Sequence, residues 1–173
     1  MNKKSKDLLL ILLTAVIVVT TVFSIKNTAK EQTATFLDYF DTVTDITIIA
    51  KGDKPLNDCE DYIKKMDKEL SADSEDGLIS QYNKGENVEF SKDAIELIDF
   101  SKTFSSENKE YFSVYLDPLI KAWDIKNNKG TIPDVSQMLE KCKKEDTLNL
   151  GGVAKGFVTE KLVEILKKAA DRC

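Results

Sequence analysis

Between positions 8 and 25 the chain carries eighteen consecutive residues without a charge, LLLILLTAVIVVTTVFSI, preceded by Lys3, Lys4 and Lys6. As a helix rising about 1.5 Å per residue, this run spans roughly 27 Å, close to the hydrocarbon thickness of a bilayer. The pattern predicts a signal-anchor helix over 1–26, and the flanking lysines predict that its N-terminal end faces the cytoplasm. A cleaved signal peptide is the weaker reading, because Asn27-Thr28-Ala29 makes a poor cut site. A lipoprotein would need a cysteine just after the apolar run, and the first is Cys59. Localisation at the cell membrane follows as an expectation, single-pass, with the soluble domain extracytoplasmic.

The pattern then changes. Residues 27–35, rich in Lys, Thr and Gln, read as a polar tether, and 36–173 as one domain. TVTDITIIA, 42–50, is β-branched, with Asp45 and Thr47 alternating against Ile46 and Ile48, which predicts a half-buried strand. Lys51-Gly52-Asp53 turns the chain. A helix opens at Pro55 with Cys59, Ile63, Met66 and Leu70 on one face. The polar loop SADSEDG follows. Ser91 starts a further helix turning Ala94, Leu97, Ile98 and Phe104 inward. Phe112 to Ile125 is a dense apolar block. Pro133-Asp134 begin a short helix with Val135, Met138, Leu139 and Cys142 at helical spacing. Thr147 to Leu150 reads as a short strand, followed by Gly151-Gly152 and a helix carrying Val158, Leu162, Ile165 and Leu166. Strands mixed irregularly with helices predict an α+β fold.

Composition removes several functions. The net charge of −5 disfavours phosphate backbones, so no nucleic-acid partner is expected. The chain contains no histidine, which excludes His-based triads and most zinc sites. Cys59, Cys142 and Cys173 lack metal-type spacing, and the first two fall on apolar helix stripes, as core residues do.

Three segments could carry chemistry. In LNLGGVAKGF, 148–157, a strand leads through paired glycines into a helix start, with Lys155 beside it. Glycines let a backbone approach a ligand, and the amides opening a helix attract anions. The spacing is neither that of a P-loop nor of a dinucleotide fingerprint, so on these residues alone a structural turn is the better reading. YFSVYLDPLIKAWDI, 111–125, could wall a flat-ligand pocket or simply fill the core. Asn83 in ISQYN could cap a turn or bind a ligand amide.

In this order, from about Phe40 to Ala170, the segments resemble the FAD:protein FMN transferase (ApbE-like, thiamine biosynthesis lipoprotein) family. FDTVTDITI is similar to the family's opening strand, where most members have Met-Gly-Thr. LSADSEDGLISQYN is similar to L-S-x-Y-x-x-D-S-E-I-S-x-x-N. FSVYLDPLIKAWDI shares Phe112, Pro118, Leu119, Trp123 and Ile125 with F-D-P-T-V-G-P-L-V-x-L-W-G-I. LNLGGVAKGFVTEKLVEILKKA follows D-L-G-G-I-A-K-G-Y-A-x-D-x-x-x-x-x-L-K-x-A.

The resemblance implies FAD as substrate, Mg²⁺ as cofactor, and transfer of FMN to a Thr or Ser hydroxyl of an acceptor protein, with AMP leaving. The implied acceptors are flavoproteins of membrane redox complexes or exported flavoproteins. By position it implies FAD contacts at Phe40, Asp73, Tyr111, Phe112, Ser113, Asn149 and Lys155, and a metal ligand in the Gly152 carbonyl. Phe40 stands in place of Met, Asp73 of Tyr, and Ser113 and Asn149 each of Asp. Asn149 keeps an acceptor but loses the charge. Family members continue well beyond the length seen here, and the catalytic groups are expected in that further half. The expectation is therefore a C-terminally truncated domain, feebly active alone. The alternative is a catalytically impaired, membrane-tethered module that binds flavin or a partner.

Overall fold

The computed structural model describes residues 3–26, 28–124, 127 and 132–170, with side chains in the first helix described for Ser5 and 9–24. That helix, α1, runs Lys3–Lys26. Among the described residues no helix is long and apolar enough to cross a membrane. The segment read as membrane-spanning reaches residues 8 and 25, whose side chains lie outside the described set.

Two antiparallel strands follow, β1 (Lys30–Tyr39) and β2 (Thr42–Ala50), pairing from Lys30 with Ala50 to Tyr39 with Thr42. Residues 30–35, read as tether, are therefore paired strand. Their polarity reflects a face turned to solvent: Thr33 and Thr35 point outward, while Ala34 is half-buried and Phe36 buried. On the outer face Thr33 meets Thr47, and Thr35 donates to Asp45 at 2.6 Å. Between Phe36 and Tyr39 the register slips, so Leu37 and Asp38 oppose Val43 alone. Such a bulge bends the strand end toward whatever lies beside it.

Helix α2 (Lys54–Leu70) touches β1 and the helices α3 (Leu78–Asn83), α4 (Lys92–Glu107) and α7 (Ala154–Ala170), and so organises the domain. Its predicted stripe of Cys59, Ile63, Met66 and Leu70 is buried, each large apolar side chain stabilising the fold by about 1.5–3 kcal/mol. Cys59 is the core residue expected; burial pushes its thiol up to about 11, which keeps it protonated and unreactive. Ser91 caps α4, accepting from the Ala94 N–H, while its own N–H and hydroxyl donate to the buried Glu69 of α2. This bonding ties the start of one helix to the end of the other.

Four expectations change. Phe104 is 38% exposed and forms part of an aromatic row, 5.9 Å from Phe100 and 5.1 Å from Phe112 between ring centres; Ser101 and Ser105 take the inward positions of α4. Residues 112–124 form an irregular segment and the helix α5 (Asp117–Trp123), with Val114 and Asp117 buried and Trp123 exposed, and Ile125 lies outside the described residues. Helix α6 (Ser136–Cys142) packs beside α5 and buries no residue, so Cys142 is half-buried rather than core. Residues 147–150 belong to no strand; among the described residues the sheet has two strands. Leu148 and Leu150 nevertheless reach the core, and α7 buries Val158 and Leu162 as read, with Ala154 in addition, while Ile165 and Leu166 are half-buried against the core. The α+β class holds. Cys173 lies outside the described residues.

Candidate functional site

Three parts of the fold meet around a cleft of about 370 Å³. The first is the β1–β2 turn, where Phe40 and Asp41 both have positive φ (54° and 53°), as does Asp38 in the bulge (68°). A two-residue hairpin turn of this hand favours Asn and Gly, and a bulky residue there stores roughly 1–2 kcal/mol of strain. Asp67 of α2 holds the strained turn by accepting the Phe40 N–H at 2.7 Å. That bond keeps Phe40 at the cleft.

The second part is the loop after α2, in which Ser71, Ala72, Asp73 and Ser74 line the cleft. Ser71 anchors it twice. Its hydroxyl accepts the Ser74 N–H, and its carbonyl accepts the Ser80 N–H at the start of α3. The third part is the Gly-Gly turn and the opening of α7, which supply Asn149, Gly151, Ala154 and Lys155. Two contacts fix this turn in place. The Asn83 side chain both donates to and accepts from the Leu148 backbone (2.8 and 2.7 Å), and the Asn149 N–H donates to the Val114 carbonyl (2.7 Å). The glycines of the turn have ordinary φ; what they offer is an exposed backbone.

Of the residues singled out in the sequence, the fold gathers Phe40, Asp73, Asn149 and Lys155 into this cleft from positions more than a hundred residues apart. It leaves Tyr111, Phe112 and Ser113 out. Tyr111 is 88% exposed, and the Ser113 hydroxyl accepts the Tyr115 N–H in its own loop. The Phe112 ring packs over Gly152, 3.6 Å from where a Cβ on that glycine would stand. Gly152 itself opens onto a second groove of about 530 Å³, between α4 and α7, with Phe100, Phe157 and three glutamates on its walls. Asp38, Asp41 and Asp67 line the cleft without having been foreseen, because a turn aspartate and one on the polar side of a helix carry no local signal.

The cleft offers a flat aromatic side chain, a lysine, hydroxyl and amide groups, and the first turn of a helix, whose field favours anions. Four aspartates line it as well, so the lysine works against a negative surround. Among the described residues no group of three or more His, Cys, Asp or Glu side chains could hold a metal ion. The Gly152 carbonyl is one oxygen where a hard cation needs about six, so the described residues do not fit a protein-held Mg²⁺.

The sequence matches the ApbE family over residues 40–172. No curated protein matches it. The fold is similar to that of the ApbE protein from Thermotoga maritima, with a TM-score of 0.66 and 16% identity over 83% of this chain and 54% of that one. It is likewise similar to the flavin transferase ApbE from Vibrio cholerae, with a TM-score of 0.68 and 13% identity over 82% and 55%. The chain thus spans about half the length of these solved relatives. With the match covering most of its length and the same fold in both structures, the chain belongs to the ApbE family.

Proposed function

We propose that this protein is an FAD:protein FMN transferase, anchored in the cell membrane by α1 with its domain on the extracytoplasmic side. The observation that carries the reading is the meeting of Phe40, Asp73, Asn149 and Lys155 in one cleft at the start of α7. In this reading Lys155 offsets charge on the FAD diphosphate, Asn149 bonds the nucleotide, and Phe40 offers its face to a flat ring. The acceptor's Thr or Ser hydroxyl forms the new phosphoester to the FMN phosphorus. The bond to AMP breaks, AMP leaves with the electron pair of that bond, and the hydroxyl proton passes to water. Mg²⁺ would accompany the diphosphate, whose own oxygens can ligate it.

A second reading is a tethered flavin- or partner-binding module without transfer. It is favoured by the four aspartates around the single lysine that lines the cleft, and by the lack of a metal-binding cluster among the described residues.

Membranes carrying the chain and washed in alkaline carbonate test all of this together. Retention after the wash is expected of an anchored chain. FAD with Mg²⁺ is expected to bind saturably, about 10-fold more weakly in Lys155→Ala, the loss of one charge-assisted contact. AMP released in the presence of an acceptor flavoprotein whose Thr or Ser hydroxyl is still free would favour transfer over the module. Absence of saturable FAD binding would sink the transferase and the flavin-binding module and leave the partner-binding module alone.

A further inference from the structure

Asp117 opens α5 and is 3% exposed, although it is charged. One of its oxygens accepts from the Lys121 ammonium at 2.8 Å, and the other accepts from the Asn149 side-chain N–H at 3.3 Å. The carbonyl oxygen of that same Asn149 amide accepts the Gly151 N–H at 3.1 Å. Buried charge is costly unless every face of it is bonded, so its retention here calls for a reason.

An amide has two different ends. Were the Asn149 amide turned over, its oxygen would face the Asp117 carboxylate and its NH₂ would face the Gly151 N–H. Both contacts would then be repulsive. With Asp117 in place only one orientation is acceptable, and in it the amide keeps one N–H and one lone pair to spare at a residue that lines the cleft.

We propose that Asp117 is a positioning residue that orients the Asn149 amide and, through it, the Gly151 end of the turn. The pairing also accounts for an amide at position 149. A carboxylate there could still accept the Gly151 N–H, but it would stand against Asp117 with no proton to donate. Lys121 steadies Asp117 from the other side. The inference rests on the flavin reading only where it predicts FAD affinity; the orientation of the turn stands apart from it.

The test uses the full chain in detergent, with two readouts. The first is hydrogen exchange at the Gly151 amide without ligand. Asp117→Ala and Asn149→Ala are each expected to speed it about 10-fold, and the double variant no further, because one chain of bonds is cut either way. The second is FAD titration. Asn149→Asp is expected to weaken binding about 30-fold through the opposed carboxylates, and Asp117→Asn added to it is expected to restore affinity to within about 3-fold. A filler role for Asp117 would not produce that rescue. Unchanged Gly151 exchange in Asp117→Ala, additive effects in the double variant, or an Asn149→Asp defect that Asp117→Asn does not mend would each overturn the proposal. Should Asp117→Ala fail to fold, the Asn149→Asp pair still decides. Should the wild-type chain bind no FAD, the flavin reading falls and the exchange data alone judge Asp117.

Discussion

Replacing Gly77 by alanine is expected to lower the melting temperature by about 10 °C, a loss of roughly 3 kcal/mol. Gly77 has ordinary backbone angles (φ −70°, ψ 133°), so conformational freedom is not the reason. Space is. A Cβ at this buried position would stand 2.4 Å from the Ser71 carbonyl oxygen and 2.9 Å from the Ser71 Cβ. The obstacle is backbone, and that carbonyl is already engaged by the Ser80 N–H at 3.0 Å. Relief requires moving residue 71, which costs about 1–3 kcal/mol of overpacking strain plus about 1 kcal/mol for the hydrogen bond given up. The loop that moves carries Ala72, Asp73 and Ser74 along one wall of the cleft, so FAD binding should weaken with stability. Gly156→Ala is the control. It lies inside α7 with nothing within 4 Å of its Cβ, and gains helix propensity of about 0.5–1 kcal/mol. Thermal unfolding followed by circular dichroism measures both. A Gly77→Ala melting point within 2 °C of wild type, on the scale that a kcal/mol sets, would show that the Ser71 turn is slack.

The long helices were legible because each buries one stripe: α2, α4 and α7 lie where apolar residues recur at helical spacing, with an error of one residue at Phe104. Strand β1 was not. Its inward positions alternate as a strand's should, but Gln32 is among them, and its side chain bonds the Ala50 and Gly52 carbonyls instead of filling core. Composition then resembled a linker. At the site, Phe40, Asp73, Asn149 and Lys155 arrived together in the cleft from the hairpin, the loop after α2 and the Gly-Gly turn, whereas Tyr111, Phe112, Ser113 and Gly152 did not. Asp67 and Asp117 were missed for a shared reason. Each acts on a backbone or side chain distant in sequence, 27 and 32 residues away, and nothing in their neighbours announces it.

The expected strand at 147–150 fails for an instructive cause, and the second large effect lies there. Leu148 is 2% exposed and needs partners for both its N–H and its C=O. A neighbouring strand would supply them from its peptide groups. Here the Asn83 side chain does so instead: its oxygen accepts the Leu148 N–H at 2.7 Å and its NH₂ donates to the Leu148 carbonyl at 2.8 Å. One side-chain amide takes the place of a strand neighbour across 65 residues of sequence. Asn83→Ala leaves both backbone groups without that partner, at about 1–3 kcal/mol each, so a loss of roughly 3 kcal/mol is expected. Asn83→Asp should lose nearly as much, because the carboxylate can still accept from the N–H but sets a negative charge against the Leu148 carbonyl. The consequence passes to the site. Residue 149 follows directly, its own N–H held by the Val114 carbonyl, and Lys155 follows as the second residue of α7. Urea unfolding of both variants should show midpoints shifted down together, with Leu148 amide exchange accelerated below full unfolding. If Asn83→Asp matched wild type while Asn83→Ala did not, the N–H of Leu148 alone would be the bond that matters, and the amide's donor half would be idle.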